Sequence, residues 1–267
     1  MVDIIGHDGV VQWRFASRTS RLAGYTASAF LTADGVLIDS GIPACGRDFE
    51  RLLDSTPIRG AVITHHHEDH AGNVERLARR GIPVILAPAT LPLVTTVAPI
   101  RAYRRMTWRS MPPLTSRVTP FDASPLELIA APGHCADHHV VWDPRSRTLF
   151  SADLFLGVAV RIAHHDEDPW RAIASLERVA ALEPERMFCA HRGAVALPAE
   201  SLRAKVAWTR TLIEKILAAV AGGFSDTQIL QTVMGGESLT GWASGGEYSR
   251  RNFIRAVRRA GDVASRG

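Results

Sequence analysis

Residues 64–73 read Thr64-His65-His66-His67-Glu68-Asp69-His70-Ala71-Gly72-Asn73, directly after the apolar run Ala61-Val62-Ile63. Reduced to its metal-binding residue types, the stretch is His-x-His-x-Asp-His. A loop at the carboxyl end of a buried strand can turn alternating side chains into one cavity, and the strand holds them in place. Neutral imidazole is the commonest metal ligand, and the chain carries 11 histidines. His65, His67, Asp69 and His70 are therefore candidate ligands. His66 and Glu68 alternate away from them and read as supporting or surface groups.

One loop cannot complete a two-metal site. Three further strand ends offer ligands: Pro132-Gly133-His134 after Leu128-Ile129-Ala130-Ala131, Phe150-Ser151-Ala152-Asp153 after Thr148-Leu149, and Cys189-Ala190-His191-Arg192-Gly193 after Met187-Phe188. Each by itself is an ordinary polar residue ending a strand. Together they have the placement that a shared cleft demands.

The rest of the chain alternates strands with helices. Val11–Phe15, Tyr25–Leu31 and Val36–Asp39 are β-type segments, and Asp34-Gly35 reads as a hairpin turn. A helical pattern follows Gly46 to about Asp54, and Asn73 is a candidate N-cap for a short helix ending at Gly81. Leu126–Ala131, His139–Trp142, Thr148–Ser151 and Arg186–Ala190 read as strands. Asp168-Pro169 opens a helix running to about Leu182. From Pro198 the pattern is helical: Ser201–Val220, Ser225–Val233 behind the capping box Ser225-Asp226-Thr227-Gln228, and Ser249–Ala260. Such alternation predicts a layered α/β domain over residues 1–197 and a helical C-terminal extension over 198–267.

This set of motifs resembles the metallo-β-lactamase-fold hydrolases, in particular their glyoxalase II-like branch. The resemblance covers about Tyr25 to Gly193. It includes Leu37-Ile38-Asp39-Ser40-Gly41, similar to that family's strand-end aspartate motif, and Ser175-Leu176 with Leu182, Pro184 and His191. It implies a four-layer αββα sandwich. It also implies that His65, His67 and His134 hold one metal and that Asp69, His70 and His191 hold a second, with Asp153 bridging and Asp39 bracing from behind. The metals implied are two divalent ions, zinc first, with iron or manganese as alternatives. Zinc accepts imidazole and carboxylate and keeps a position open for water. Two such ions share a water and lower its pKa to about 7. Asp69 is also the candidate catalytic carboxylate, orienting that nucleophile or collecting its proton. The chain departs from the family pattern at Cys135, Asp137 and Arg192, so the surroundings of the metals, and with them the substrate, stay open.

Composition narrows the classes. Hydrophobic residues are 46% and charged residues 22% of 267, ordinary for a globular chain. Thirty-one basic residues against 27 acidic ones give +4, too small a surplus to announce nucleic acid. The first 30 residues are interrupted by charges, with no basic segment ahead of an apolar one, which argues against an export signal. Gly81–Ile100 lacks charges but contains four prolines and reads as a strand, loop and helix start rather than a membrane span. Three widely spaced cysteines imply no disulfide framework, and Cys135 and Cys189 read as small buried hydrophobes. A cytoplasmic setting fits.

Asp153 argues against a zinc β-lactamase, where a cysteine or another ligand set is typical, and His67 argues against the di-iron branch, where a glutamate takes that place. The expected activity is hydrolysis of an ester-like bond (thioester, lactone or ester). A mononuclear iron persulfide dioxygenase, a metal-dependent nuclease or phosphodiesterase, and a binding protein that keeps its metals are the alternatives. Arg101–Arg109, with four arginines plus Tyr103 and Trp108, is either a lid over a small anionic substrate or a surface helix with a solvated basic face. Arg250, Arg251, Arg255, Arg258 and Arg259 oppose Phe253, Ile254 and Val257, as in a helix docked by its apolar stripe. The oligomeric state has no signature.

Overall fold

A computed structural model describes residues 1–264, and side chains through residue 259. In chain order the elements are β1 (Val2–His7), β2 (Val10–Phe15), α1 (Arg18–Leu22), β3 (Ala27–Thr32), β4 (Val36–Ile38), a 3₁₀ turn (Pro43–Cys45), α2 (Gly46–Ser55), β5 (Gly60–Ile63), α3 (Val74–Arg79), β6 (Val84–Leu86), α4 (Leu91–Thr95), α5 (Ala102–Thr107), β7 (Glu127–Ala130), β8 (His139–Asp143) and β9 (Thr148–Ala152). They continue as α6 (Pro169–Ala180), β10 (Arg186–Cys189), β11 (Gly193–Val195), α7 (Pro198–Ala221), α8 (Asp226–Thr232), α9 (Leu239–Ala243) and α10 (Arg250–Ala264).

The elements fall into two compact units. The first holds Met1–Ala130, Asp137–Asp153 and Arg186–Val195, and the second holds Ala131–Ala136, Leu154–Glu185 and the chain from Ala196 onward. The first unit contains both sheets. One has the order β1-β2-β3-β4-β5-β6, antiparallel through β4 and parallel from β4 to β6; the other has the order β11-β10-β9-β8-β7. Only the β9–β10 pair of the second sheet is parallel.

Strand alternation explains the layering. Val36, Ile38 and Val62 point to one face, where they meet Val141, Phe150 and Phe188 of the other sheet. Phe30, Phe150 and Phe188 stack there with centroids 5.3–5.7 Å apart. Leu37, Ala61 and Ile63 point to the opposite face and bury Phe49 and Leu53 of α2 with Val74 and Leu77 of α3. Both faces of the central strands are covered, so their sequences are unbroken apolar runs rather than alternating ones.

Two segments of the first unit escape a local reading. β1 is an edge strand held by a six-residue register with β2, and it leaves Ile4 exposed. α1 is a five-residue helix, started by a capping box between Ser17 and Ser20. The Asp34-Gly35 hairpin forms as expected, with Gly35 at φ +77.

Glu75 on α3 fastens a long loop. Its carboxylate accepts the backbone N–H groups of Thr115 and Ser116, both their hydroxyls, and Arg79 Nε, all at 2.9–3.0 Å. Burial opposes its ionisation, but these donors outweigh it and lower its pKa from 4.5 to about 2. The stabilisation is therefore complete above about pH 4.5 and lost as pH falls through about 2. Glu75→Gln turns an amide donor toward those N–H groups and is expected to cost about 1.5–3 kcal/mol at pH 7. Urea unfolding at pH 7 and pH 3 checks this: the gap between variant and parent narrows at the lower pH.

The second unit is helical apart from residues 131–136, the stretch 154–168 and the loops between helices. α6 begins where expected, its N-cap Asp168 accepting the Trp170 and Arg171 N–H groups ahead of Pro169. It packs against α7, and Ile173 joins Leu212, Ile213, Ile216, Ile229, Phe253, Ile254 and Val257 in a common core. The apolar stripe of α10 is buried as its spacing predicts. Three of its arginines are bound rather than left to water: Arg250 donates to the Met234, Gly236 and Arg161 carbonyls, Arg251 to Thr227 Oγ1, and Arg258 to the Phe224 carbonyl. Among the described residues no helix is long and apolar enough to cross a membrane.

Candidate metal centre

The histidine-rich loop leaves β5 at Thr64 and is folded by its own backbone: the His67 carbonyl accepts from His70 N at 3.0 Å and Ala71 N at 2.8 Å. The 39–42 segment holds it from one side. Ser40 donates twice to the His70 carbonyl, and Asn73 Nδ2 donates to the Ser40 and Ile42 carbonyls. Asn73 is the N-cap of α3 by position only: its Nδ2 makes this link and its Oδ1 accepts no cap hydrogen bond. At Gly72 a Cβ would meet the Glu68 carbonyl at 2.2 Å and the Gly41 carbonyl at 2.4 Å. That contact admits only glycine.

Asp39 ends β4 at φ +62 and is almost fully buried. Its carboxylate accepts Thr64 N at 2.8 Å and Thr64 Oγ1 at 2.9 Å, and meets His70 Nδ1 at 2.7 Å. The contact fixes the ring, so that Nε2 is the nitrogen left for the site. A carboxylate in this position would brace the ring of a histidine that ligates a metal. His70 Nε2 is buried, makes no hydrogen bond, and faces Asp153 Oδ1 at 3.3 Å.

Two more strand ends converge on the same point. Ala152 closes β9 at φ +43 and turns Asp153 into the site. Asp153 N donates to His138 Nε2 at 3.1 Å. Beyond β10, His191 is held through Nδ1 by the Thr26 carbonyl at 2.6 Å. Its Nε2 lies 3.2 Å from Asp153 Oδ1 and 3.4 Å from Asp69 Oδ2. Ligand atoms of Asp69, His70 and His191 lie within 4.8 Å of one another, as do those of His65, His70 and Asp153. His65 meets Thr64 Oγ1 through Nδ1 and His67 Nδ1 through Nε2, each at 3.1 Å.

The electrostatics call for a cation. Burial works against charge on His70, yet Asp153, Asp39 and Asp69 together overcome it and raise its pKa well above the usual histidine value. Burial likewise opposes charge on His191, and Asp153 with Asp69 raises it to about 9. Burial favours a neutral Asp153, but His191 and His70 hold it well below the usual carboxylate range. His65 goes the other way: burial, then neighbouring imidazoles, lower its pKa, leaving a neutral ring with one nitrogen lone pair to donate. A divalent ion meets the same demand as protons on His70 and His191 would, and replaces them. The donor set therefore fits metal.

Six of the seven expected ligands, His65, His67, Asp69, His70, Asp153 and His191, lie in the first unit. His134 lies in the second, on the segment 131–136 that runs between β7 and β8. There Ser175 Oγ donates to the Pro132 carbonyl, Asp168 N donates to the Gly133 carbonyl, and His134 Nδ1 is 3.3 Å from Glu167 Oε1.

Four further residues, whose partners the sequence left open, lie around these groups. His138 is buried, its ring 4.9 Å from that of His65. Asp137, one of the departures from the family pattern, accepts His66 N at 3.0 Å and faces its Nδ1 at 2.8 Å, which gives both residues a structural part. Glu68 is buried in a two-point pair with Arg104 at 2.5 and 2.7 Å. The Trp108 ring lies 6.5 Å from that of His191. Cys189 is buried, and burial pushes its thiol up to about 11, an inert small hydrophobe as expected.

Residues 28–191 match the family model of the metallo-beta-lactamase superfamily. The chain belongs to that superfamily. Relatives include a beta-lactamase-like protein 2 homolog of Caenorhabditis elegans, 30% identical over 60% of this chain and 52% of its own. A hydroxyacylglutathione hydrolase of Rhodobacter capsulatus is 33% identical over 59% of this chain and 57% of its own. Several of these matches span only about half of the relative's length. Among solved structures, a metallo-beta-lactamase family protein from Thermus thermophilus superposes with a TM-score of 0.65 at 16% identity, covering 96% of this chain and 95% of the other. The mono-zinc FIM-1 enzyme of Pseudomonas aeruginosa gives 0.60 at 20% identity over 79% of this chain and 95% of its own. These likenesses establish the superfamily fold, two sheets with helices.

Replacing Asp39 by Asn tests the brace. It leaves shape but weakens the acceptor facing His70 Nδ1, and metal affinity is expected to fall about 10–100-fold. Competitive titration against a coloured chelator measures it.

Proposed function

We propose that this chain is a hydrolase using two divalent metal ions, zinc first, to cleave an ester-like bond: a thioester, lactone or ester. The observation that carries the reading is the convergence of Asp69, His70, Asp153 and His191, with a buried His70 Nε2 that makes no hydrogen bond. Asp69, His70 and His191 would hold one ion. His65 and His67, joined by His134 on the strength of its place in the sequence motif, would hold the other, with Asp153 between them. The hydroxyacylglutathione hydrolase relatives support an acyl-transfer substrate by name.

When bound, such ions polarise a carbonyl and lower the pKa of water to about 7. The chain's own residues do the rest. Asp39, Thr26 and Thr64 fix the histidine rings so that no reorganisation is needed at the moment of reaction. Asp69, whose Oδ2 lies beside His191 Nε2, would take the nucleophile's proton. Trp108 supplies an apolar surface next to His191. Arg104 is committed to Glu68 and is not a substrate contact. Three buried cysteines, none in a disulfide, agree with a reducing, cytoplasmic setting.

Elemental analysis of the untagged protein, paired with a panel of thioester, lactone and phosphodiester substrates, tests the proposal. Two zinc ions per chain with thioester or lactone turnover that chelator removes is the expected result. A single iron with persulfide oxidation overturns it in favour of the dioxygenase, and turnover of the phosphodiester alone overturns it in favour of the nuclease.

A further inference from the structure

A second concave site lies within the first unit, bordered by none of the metal-cluster side chains. α1, the Pro43–Cys45 turn with the start of α2, and α5 enclose a cavity of about 650 Å³. Four arginines from three separate parts of the chain line it: Arg18, Arg47, Arg105 and Arg109. Elsewhere in the unit Arg14, Arg51, Arg76, Arg79, Arg80 and Arg104 pair with carboxylates. Among the described residues, none of the four around the cavity has an acidic partner within 4.0 Å. Asp48, next to Arg47 in sequence, is engaged by Arg51 and the Met1 ammonium.

The walls are tied together. Ser17 Oγ donates to the Thr107 carbonyl at 2.7 Å, and Ala44 N donates to the Trp108 carbonyl at 3.0 Å. Arg109 sits at φ +70, a left-handed conformation that costs a non-glycine residue about 1–2 kcal/mol. Such strain persists where the surroundings impose it, and it clusters at binding sites. Here it places a fourth guanidinium on the cavity wall.

We infer that this cavity binds a small soluble molecule carrying two or more adjacent phosphates. Guanidinium forks match phosphate oxygens two at a time, so four of them exceed what one phosphate can use. Bringing four like charges around one cavity is unfavourable until an anion of comparable charge enters. The volume lies in the range of small-molecule pockets, and the site is a finite hollow rather than a basic stripe for a polymer. Met106 on the rim, 68% exposed, offers an apolar contact to an organic group attached to the phosphates.

Calorimetric titration with pyrophosphate, ADP and inorganic phosphate tests the inference. Parent, Arg47→Ala/Arg105→Ala and Arg47→Lys/Arg105→Lys proteins are compared at equal metal content. Pyrophosphate or ADP is expected to bind the parent one-to-one and more tightly than phosphate. The alanine pair should weaken it at least tenfold, with the lysine pair in between because charge is kept and the fork is lost. Both arginines are exposed, and unchanged circular dichroism confirms that the variants fold. Equal affinity in parent and alanine pair, as chelation at the metal centre would give, overturns the inference. So does absence of saturable binding, or arginine-dependent binding of a single-stranded RNA oligonucleotide without binding of pyrophosphate or ADP. None of these readouts depends on hydrolytic activity, so the metal-centre proposal stands or falls separately.

Discussion

Asp153→Ala is expected to remove at least one metal equivalent per chain and to lower turnover by well over a hundredfold. Partners behind a ligand already cost about 10–100-fold when lost, and Asp153 stands in front. Its Oδ1 is the atom that both His70 Nε2 and His191 Nε2 face, at 3.3 and 3.2 Å. Without it the two imidazoles lose the carboxylate that most favours positive charge between them. Asp153 follows the end of β9 and stands in the site rather than in the apolar core, so the variant should fold. Elemental analysis and steady-state kinetics on one preparation check both halves. Full metal content in the variant would remove Asp153 from the ligand set.

Arg104→Leu is expected to destabilise the first unit by about 3–5 kcal/mol, the range found when one member of a buried ion pair is removed. The cost comes from Glu68, buried beside Asp69, whose carboxyl loses both guanidinium contacts and stays buried without them. Burial already raises the Glu68 pKa against the pull of Arg104. The double variant Arg104→Leu/Glu68→Leu should recover most of the loss, because no unpaired buried carboxyl stays behind. Urea midpoints of parent, single and double variants measure this. A double variant no more stable than the single one would refute the account. As Glu68 is next to Asp69, the single variant should also loosen metal binding.

Arg104 shows what the sequence could not reveal about residues 101–109. A run of four arginines with Tyr103 and Trp108 suggested a lid or a solvated helix face. A helix forms over part of it, but the arginines of the segment divide. Arg104 turns inward to Glu68, 36 positions away, while Arg105 and Arg109 border the second cavity. Nothing in local composition separates Arg104 from Arg105. The division follows from which face of a six-residue helix meets the histidine loop.

The strands and long helices were legible because burial imposes periodicity on them. Unbroken apolar runs such as Ala61-Val62-Ile63 mark strands covered on both faces, and the Ser225 capping box marks the start of α8. β1 was illegible because its order comes from pairing with β2, and it exposes Ile4 while its Asp3 pairs with Arg14.

For the candidate metal centre, the identity and spacing of His65, His67, Asp69 and His70 were readable in ten residues, because ligand chemistry restricts residue type. Asp153 and His191 were readable as polar residues that end strands. Which nitrogen of each ring is offered was not readable. That depends on Asp39 behind His70 from 31 positions away and the Thr26 carbonyl behind His191 from 165. The chemical types of a metal site are local and survive in the linear chain. The orientation of the rings, the charge state of the carboxylates and the sorting of the arginines are set by contacts between distant segments, and they exist only once the sheets have brought those segments together.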